Sequence, residues 1–334
     1  MRTILSRSVT TTFRRVTARK ILIDTDPGID DAMAIFYALE SPELEVVGLT
    51  TIFGNAHTDV CTRNALSLLE IAGRTDIPVA PGAARPMAMD YRGPADFVHG
   101  ADGQGDVDLP PPRTAPLAIT AAQFIVEQVM AAPGEITLVP LGPMTNVALA
   151  LLLEPRLGEN LAGIVLMGGN AFRGGNASPA AEANVINDPE AADLVFGADC
   201  PIVMCGLDVT EATFMTSADI ARIAGLDNPR ARHLARILPY YEAFYKDRHG
   251  VEGIFVHDST TITYLLAPEL YSSVELPVRV DCGSGVGRGK TWPASRLTDR
   301  ESPWSGRRPV TILTGVDAAA AIQLELGKLG ARGG

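Results

Sequence analysis

Asp24, Asp26, Asp30 and Asp31 put four carboxylates into eight residues, between the apolar run Lys20-Ile21-Leu22-Ile23 and an amphipathic stretch that begins at Ile29. The period of two places Asp24 and Asp26 on one face of a strand. Pro27 and Gly28 make the turn, and Asp30 and Asp31 fall in the first turn of a helix. Acids that complement a helix macrodipole account for one or two of the four. Like charges this close cost on the order of a kcal/mol each at intermediate dielectric, so either their pKa values rise or a cation joins them. All-oxygen donors of this hardness favour Ca2+ or Mg2+ over zinc.

Other residue types suited to proton transfer lie farther along. His257 adjoins Asp258, and His99 sits in Val98-His99-Gly100. Imidazole titrates near neutral pH, which makes both candidate acids or bases. Tyr241 and Tyr245 are one turn apart on a helical stretch from Leu234 to Arg248, so they share a face, either for core packing or for contact with a ligand. His57, His233 and His249 have no motif around them that assigns a role. The cysteines Cys61, Cys200, Cys205 and Cys282 are scattered without a CxxC pair, which reads as buried free thiols in a reducing compartment.

The elements that must hold these groups alternate. Lys20 to Ile23, Glu45 to Thr51, Ile136 to Pro140, Gly163 to Met167 and Pro201 to Cys205 read as strands; Ile29 to Glu40, Thr58 to Ala72, Thr145 to Leu153 and Pro189 to Phe196 read as helices. This repetition predicts an α/β fold: one domain with a mostly parallel central sheet flanked by helices, Rossmann-like, its active site at the carboxyl ends of the strands. Past residue 270 the pattern weakens, and Pro277 to Val280 and Pro309 to Leu313 are candidate strands. Two long irregular segments, Gly82 to Pro116 and Gly168 to Asn187, have the length of functional loops.

The chain has 334 residues, 28 basic and 39 acidic, for a net charge of -11. That balance disfavours a nucleic acid polymer or an anionic membrane as partner, and no apolar run is long enough to span a bilayer. The acidity accords with a cytoplasmic enzyme that handles small molecules. The first segment differs: Arg2, Arg7, Arg14, Arg15, Arg19 and Lys20 precede any acid. Residues 1–19 resemble a transit peptide in composition but read better as a disordered tail or an overextended start, ahead of a catalytic domain over residues 20–330.

Asp24-Thr25-Asp26-Pro27-Gly28-Ile29-Asp30-Asp31-Ala32 resembles the amino-terminal signature of the inosine–uridine preferring nucleoside hydrolases. Five further stretches agree in order: Thr50 to Asn55, Leu138 to Asn146, Val165 to Gly169, Gly175 to Asn184 and Val256-His257-Asp258. The resemblance implies a Ca2+-dependent hydrolase that splits a ribonucleoside into free base and D-ribose. It implies Asp26, Asp31, Asp258 and the Leu141 carbonyl as metal ligands, with Asp26 also the general base. Asp30, Asn55, Asn176, Glu182, Asn184, Asp258 and the Met167 backbone would grip the ribose. His257 would protonate the leaving base, with His99, Tyr241 and Tyr245 as further base-side candidates. A dimer or tetramer is implied as well. Ala183 departs from the pattern, since many relatives carry an aromatic residue there, so base preference stays open.

Alternatives are a hydrolase of another N-ribosyl compound, a Mg2+-dependent phosphatase and a non-catalytic sugar-binding protein. A phosphatase would want a cation for phosphate, yet no Lys or Arg occurs from Asp24 to Glu45 or from Asn176 to Asp188.

Overall fold

The computed structural model describes residues 18–296 and 301–330. The tail expected over residues 1–19 lies outside them except for its last two residues, and Arg19 already opens the first strand. In chain order the strands are β1 Arg19–Thr25, β2 Leu44–Thr51, β3 Val79–Pro81, β4 Ile136–Pro140, β5 Gly163–Met167, β6 Ile202–Cys205, β7 Phe214–Thr216, β8 Gly253–Phe255, β9 Tyr271–Leu276, β10 Val278–Val280, β11 Thr291–Pro293 and β12 Val310–Val316. The helices are α1 Ile29–Leu39, α2 Thr58–Ala72, α3 Asp96–His99, α4 Ala121–Ala131, α5 Thr145–Leu153, α6 Leu157–Asn160, α7 Ala183–Asn187, α8 Pro189–Val195, α9 Leu207–Thr210, α10 Ser217–Ala224, α11 Pro229–His249, α12 Ser259–Leu266 and α13 Ala318–Leu329.

Eight strands form one sheet in the order β3-β2-β1-β4-β5-β6-β12-β9, parallel except for the β12–β9 pair. β1 lies in its interior, and its uninterrupted apolar run is what a parallel strand covered on both faces requires. Ile21 and Ile23 enter the core beneath α1, α2, α11, α12 and α13, while Leu22 enters a second core with α4, α5 and α8. All three are fully buried.

The expected α/β architecture holds, and the differences fall where the apolar signal is weak. β9 is an antiparallel edge strand whose four central residues are exposed, so no buried run marks it. The candidate strand at Pro277 to Val280 forms β10, but it pairs with β11 in a side hairpin and not in the main sheet. The one at Pro309 to Leu313 becomes β12 and does join the sheet beside β6.

From β1 the chain turns to β2 on one side, whereas β4 flanks β1 on the other. That reversal opens a crevice at the carboxyl ends of β1 and β4, the position where open α/β sheets bind ligands. The four aspartates begin there.

Candidate active site

Asp31 is the best-anchored acid of the cluster. It is buried in the first turn of α1, where it accepts hydrogen bonds from the Thr25 hydroxyl (2.5 Å), the Gly28 N–H (2.9 Å) and Asn55 Nδ2 (2.9 Å). The Gly28 contact caps the helix start. Asn55, expected at the ribose, thus braces Asp31 through its side chain and Asp26 through its N–H, 2.7 Å from Asp26 Oδ2. Asp24 faces elsewhere. Its Oδ1 accepts from the Thr50 hydroxyl (2.6 Å) and Asn146 Nδ2 (2.8 Å), tying β1 to β2 and α5. β1 ends at Thr25, so Asp26 lies just beyond the strand over which the period of two applies.

Two glycines make room for Asp26. A Cβ at Gly54 would lie 1.9 Å from Asp26 Oδ2, and one at Gly142 would lie 2.3 Å from Oδ1. Gly142 follows β4, so the carboxylate is held between the ends of adjacent loops.

Asp30, Asp31 and Asp258 each offer an oxygen within 4.8 Å of the others. The trio contains Asp30, which the resemblance assigns to sugar, in place of Asp26. Asp26 adjoins it closely enough that the charges of Asp31 and Asp30 raise its pKa. Burial is the larger cause, as it is for Asp258, whose pKa the charges of Asp30, Asp31 and Asp26 raise further. Burial also brings Asp30 up to about 6 and Asp24 up to about 7. Among the described residues no lysine or arginine pairs with any of Asp26, Asp30, Asp31 or Asp258. Asp26 Oδ1 and Asp30 Oδ1 are buried without a hydrogen-bond partner. Hard oxygen donors, two of them unpartnered and none neutralised by a fixed cation, fit a divalent ion.

The other sugar-side candidates divide. Glu182 is buried and caps α7, accepting from the N–H groups of Gly169 (2.9 Å), Asn184 (2.8 Å) and Val185 (3.1 Å). Asn184 Nδ2 donates to the carbonyls of Leu141 (2.6 Å) and Met167 (3.2 Å), which brings together three expected positions at the ends of β4 and β5. Asn176 stands apart: it is exposed, and its Oδ1 accepts from the Ala183 N–H at 3.1 Å. Asn170 has a turn-pinning role, donating to the carbonyls of Arg173 and Ala180.

Across Asp30 runs a chain of hydroxyls and imidazole. Tyr241 donates to Asp30 Oδ2 (3.2 Å) and meets Tyr245 (3.2 Å); Tyr245 meets His257 Nε2 (2.9 Å), and His257 Nδ1 meets the Thr210 hydroxyl (2.9 Å). His99 stacks on Tyr241 with ring centroids 5.4 Å apart, and its Nδ1 accepts from the Ile29 N–H. Burial pushes both His257 and His99 down to about 4. The expectation that His257 titrates near working pH is corrected by that burial, which disfavours the imidazolium.

Residues without an earlier role complete the frame: Asn146, Thr210, Gly54, Gly142, and Gln104 with His233. Asn146 and Gly142 lie inside a stretch already noted for its resemblance. Nothing local to Gln104 or His233 signals their meeting, since 129 residues separate them.

A sequence profile described as inosine-uridine preferring nucleoside hydrolase matches residues 21–323. The chain is 45% identical over 314 residues to a probable uridine nucleosidase 2 of Arabidopsis thaliana, covering 93% of this chain and 97% of that one. It is 41% identical over 307 residues to a pyrimidine-specific ribonucleoside hydrolase of Shewanella woodyi, covering 92% and 96%. A solved plant nucleoside hydrolase superposes with a TM-score of 0.89 at 37% identity, covering 94% of this chain and 99% of that one.

Two expectations follow from this geometry. Gly142→Ala should displace Asp26 and lower turnover by roughly a hundredfold or more, because misplacing a reacting group by about 1 Å has that effect. Unchanged kinetics would show that Asp26 has slack. The second concerns pH. A carboxylate with a raised folded pKa contributes stability below its unfolded pKa and loses it as pH rises through the folded value, about 6 for Asp30. A divalent cation held by these carboxylates would replace the protons, so any increase in Tm on adding one should grow from about pH 5 to pH 8. A constant increment across that range would contradict it.

Proposed function

Because the chain belongs to the inosine-uridine preferring nucleoside hydrolase family, and so hydrolyses the N-glycosidic bond of ribonucleosides, we propose that it is a Ca2+-dependent enzyme acting on uridine and related pyrimidine ribonucleosides. The names of its relatives support the base class, uridine for the Arabidopsis protein and pyrimidine for the Shewanella one. The observation that carries the chemistry is the placement of two unpartnered carboxylate oxygens, on Asp26 and Asp30, opposite the Tyr241–Tyr245–His257 chain.

In this reading Asp31, Asp258 and the Leu141 carbonyl hold the ion, with Asp30 available as a further oxygen. Bound there, Ca2+ supplies a Lewis acid that lowers the pKa of a water molecule. Asp26 takes a proton from the attacking water as its oxygen bonds to the anomeric carbon. Asp26 Oδ1 has no hydrogen-bond partner of its own, which leaves it able to accept that proton. The bond from the anomeric carbon to the base nitrogen breaks, and positive charge develops on the sugar, which the gathered carboxylates favour. Asn184 and Glu182 position ribose, and Asn176 borders them from the exposed loop.

The departing base needs a proton. His257 is held neutral, so it relays a proton and does not store one: as a hydroxyl of the Tyr241–Tyr245 pair donates to the base, His257 Nε2–H reprotonates the pair and Nδ1 takes up a proton by way of the Thr210 hydroxyl. Reprotonation from solvent restores the chain. His99, stacked on Tyr241, borders the same space. The same proposal extends to a homodimer or homotetramer working in cytoplasmic nucleoside salvage, in accord with the chain's acidity.

Ribose release from a panel of ribonucleosides tests the substrate class: uridine should lead, and a purine leading would overturn the base assignment. Asp26→Asn should cut kcat by about a thousandfold or more, the range for removal of a general base, with retained Tm; turnover within tenfold of the parent would remove Asp26 from that role. His257→Ala should slow uridine by about a hundredfold while leaving an activated nitrophenyl riboside within a few-fold. Equal losses on both would sink the leaving-group assignment.

A further inference from the structure

Gln104 is fully buried in the loop after α3, between two glycines. Its Nε2 lies within hydrogen-bond distance of the carbonyls of Pro27 (3.2 Å), Gly28 (2.8 Å) and Gly103 (3.1 Å). The amide nitrogen is thus committed to donating, and its Oε1 accepts from His233 Nε2 at 2.9 Å. That fixes the imidazole tautomer with its proton on Nε2. His233 is itself buried on α11 and meets Phe36 of α1 edge to face.

The pair joins three segments that each carry site residues. The Pro27–Gly28 turn leads into Asp30 and Asp31. The loop follows His99 directly, and its Gly105 N–H returns to the His99 carbonyl at 2.7 Å. On α11, His233, Ile237, Tyr241 and Tyr245 recur every fourth residue and are all buried, so they lie along one face. The far end of that face carries the Tyr241 hydroxyl to Asp30.

We propose that Gln104 and His233 are positioning residues that set the register between the carboxylate turn and the tyrosine–histidine chain. Neither touches the carboxylates or the hydroxyl chain. Gln104 fixes the turn from below through two carbonyls while His99 holds the Ile29 N–H beside it. His233 locks the same amide to α11, two helical turns before Tyr241. Asn64 adds a brace, donating to the carbonyls of Pro27 and Asp102. Without the pair, α1 and α11 still meet through apolar side chains and through the Arg230–Glu40 ion pair at the C-terminal end of α1, but among the described residues no other side chain of α11 is hydrogen-bonded to Gln104 or to the Pro27–Gly28 turn. The consequence is specific: the distance from Tyr241 to Asp30 loosens, and proton delivery to the leaving base suffers more than attack by water.

This inference rests on the proton-delivery reading above, and the test separates the two. His233→Leu, Gln104→Leu and the double variant are compared with the parent on uridine and on a nitrophenyl riboside, with circular dichroism and Tm checking the fold. Each single variant should lose about five- to tenfold more kcat on uridine than on the activated substrate, the size set by one buried hydrogen bond. The double variant should lose no more than either single one, because both break the same link. His233→Gln, which keeps a donor, should restore much of the uridine rate, and it serves as the folded probe if His233→Leu does not accumulate. Equal losses on both substrates, or additive losses in the double variant, would overturn the proposal while His257→Ala still discriminates. If His257→Ala does not discriminate either, the proton-delivery reading falls and this one with it.

Discussion

Mutual repulsion among four buried carboxylates is the constraint on which the rest of this structure depends. Asp26, Asp30, Asp31 and Asp258 share one crevice, and no lysine or arginine among the described residues pairs with any of them. The fold answers the repulsion with neutral donors. Thr25, Gly28 and Asn55 supply hydrogen bonds to Asp31, Asn55 supplies its N–H to Asp26, and Tyr241 supplies its hydroxyl to Asp30. The starts of α1 and α12 add their positive dipole ends beneath Asp30, Asp31 and Asp258. These partners orient the charges without cancelling them, as a site that could hold a divalent ion requires.

The same constraint explains the site's location. Only at the switch point do two adjacent parallel strands, β1 and β4, send their following loops apart and leave a crevice between them. Gly54 and Gly142 let the backbone close on Asp26 from two sides. Asn184 then links the ends of β4 and β5 through the Leu141 and Met167 carbonyls. Acids, the Asn184 amide and the aromatic chain therefore come from different strand ends and helices.

Much of this was legible in the chain. Continuous apolar runs marked β1, β4 and β5, and the four-aspartate stretch marked the cluster, because local composition carries both signals. Edge strands such as β9 were not, since an exposed strand has no buried run to betray it. The division of labour inside the cluster was also hidden: Asp24 turns to Asn146, and Asp30 joins the carboxylate trio, for reasons that lie in side-chain direction beyond the end of β1. The neutral state of His257 depends on burial by distant segments, and the Gln104–His233 contact spans 129 residues. Long-range polar pairs leave no periodic trace.

The most direct test of the central claim is ribose release from uridine by protein stripped of metal with a chelator, then supplied with Ca2+. Loss of turnover on stripping and its return on adding Ca2+, in proportion to one ion bound per chain, is the predicted result. Full turnover by the stripped protein would contradict the account, because the carboxylates would then be working without a cation.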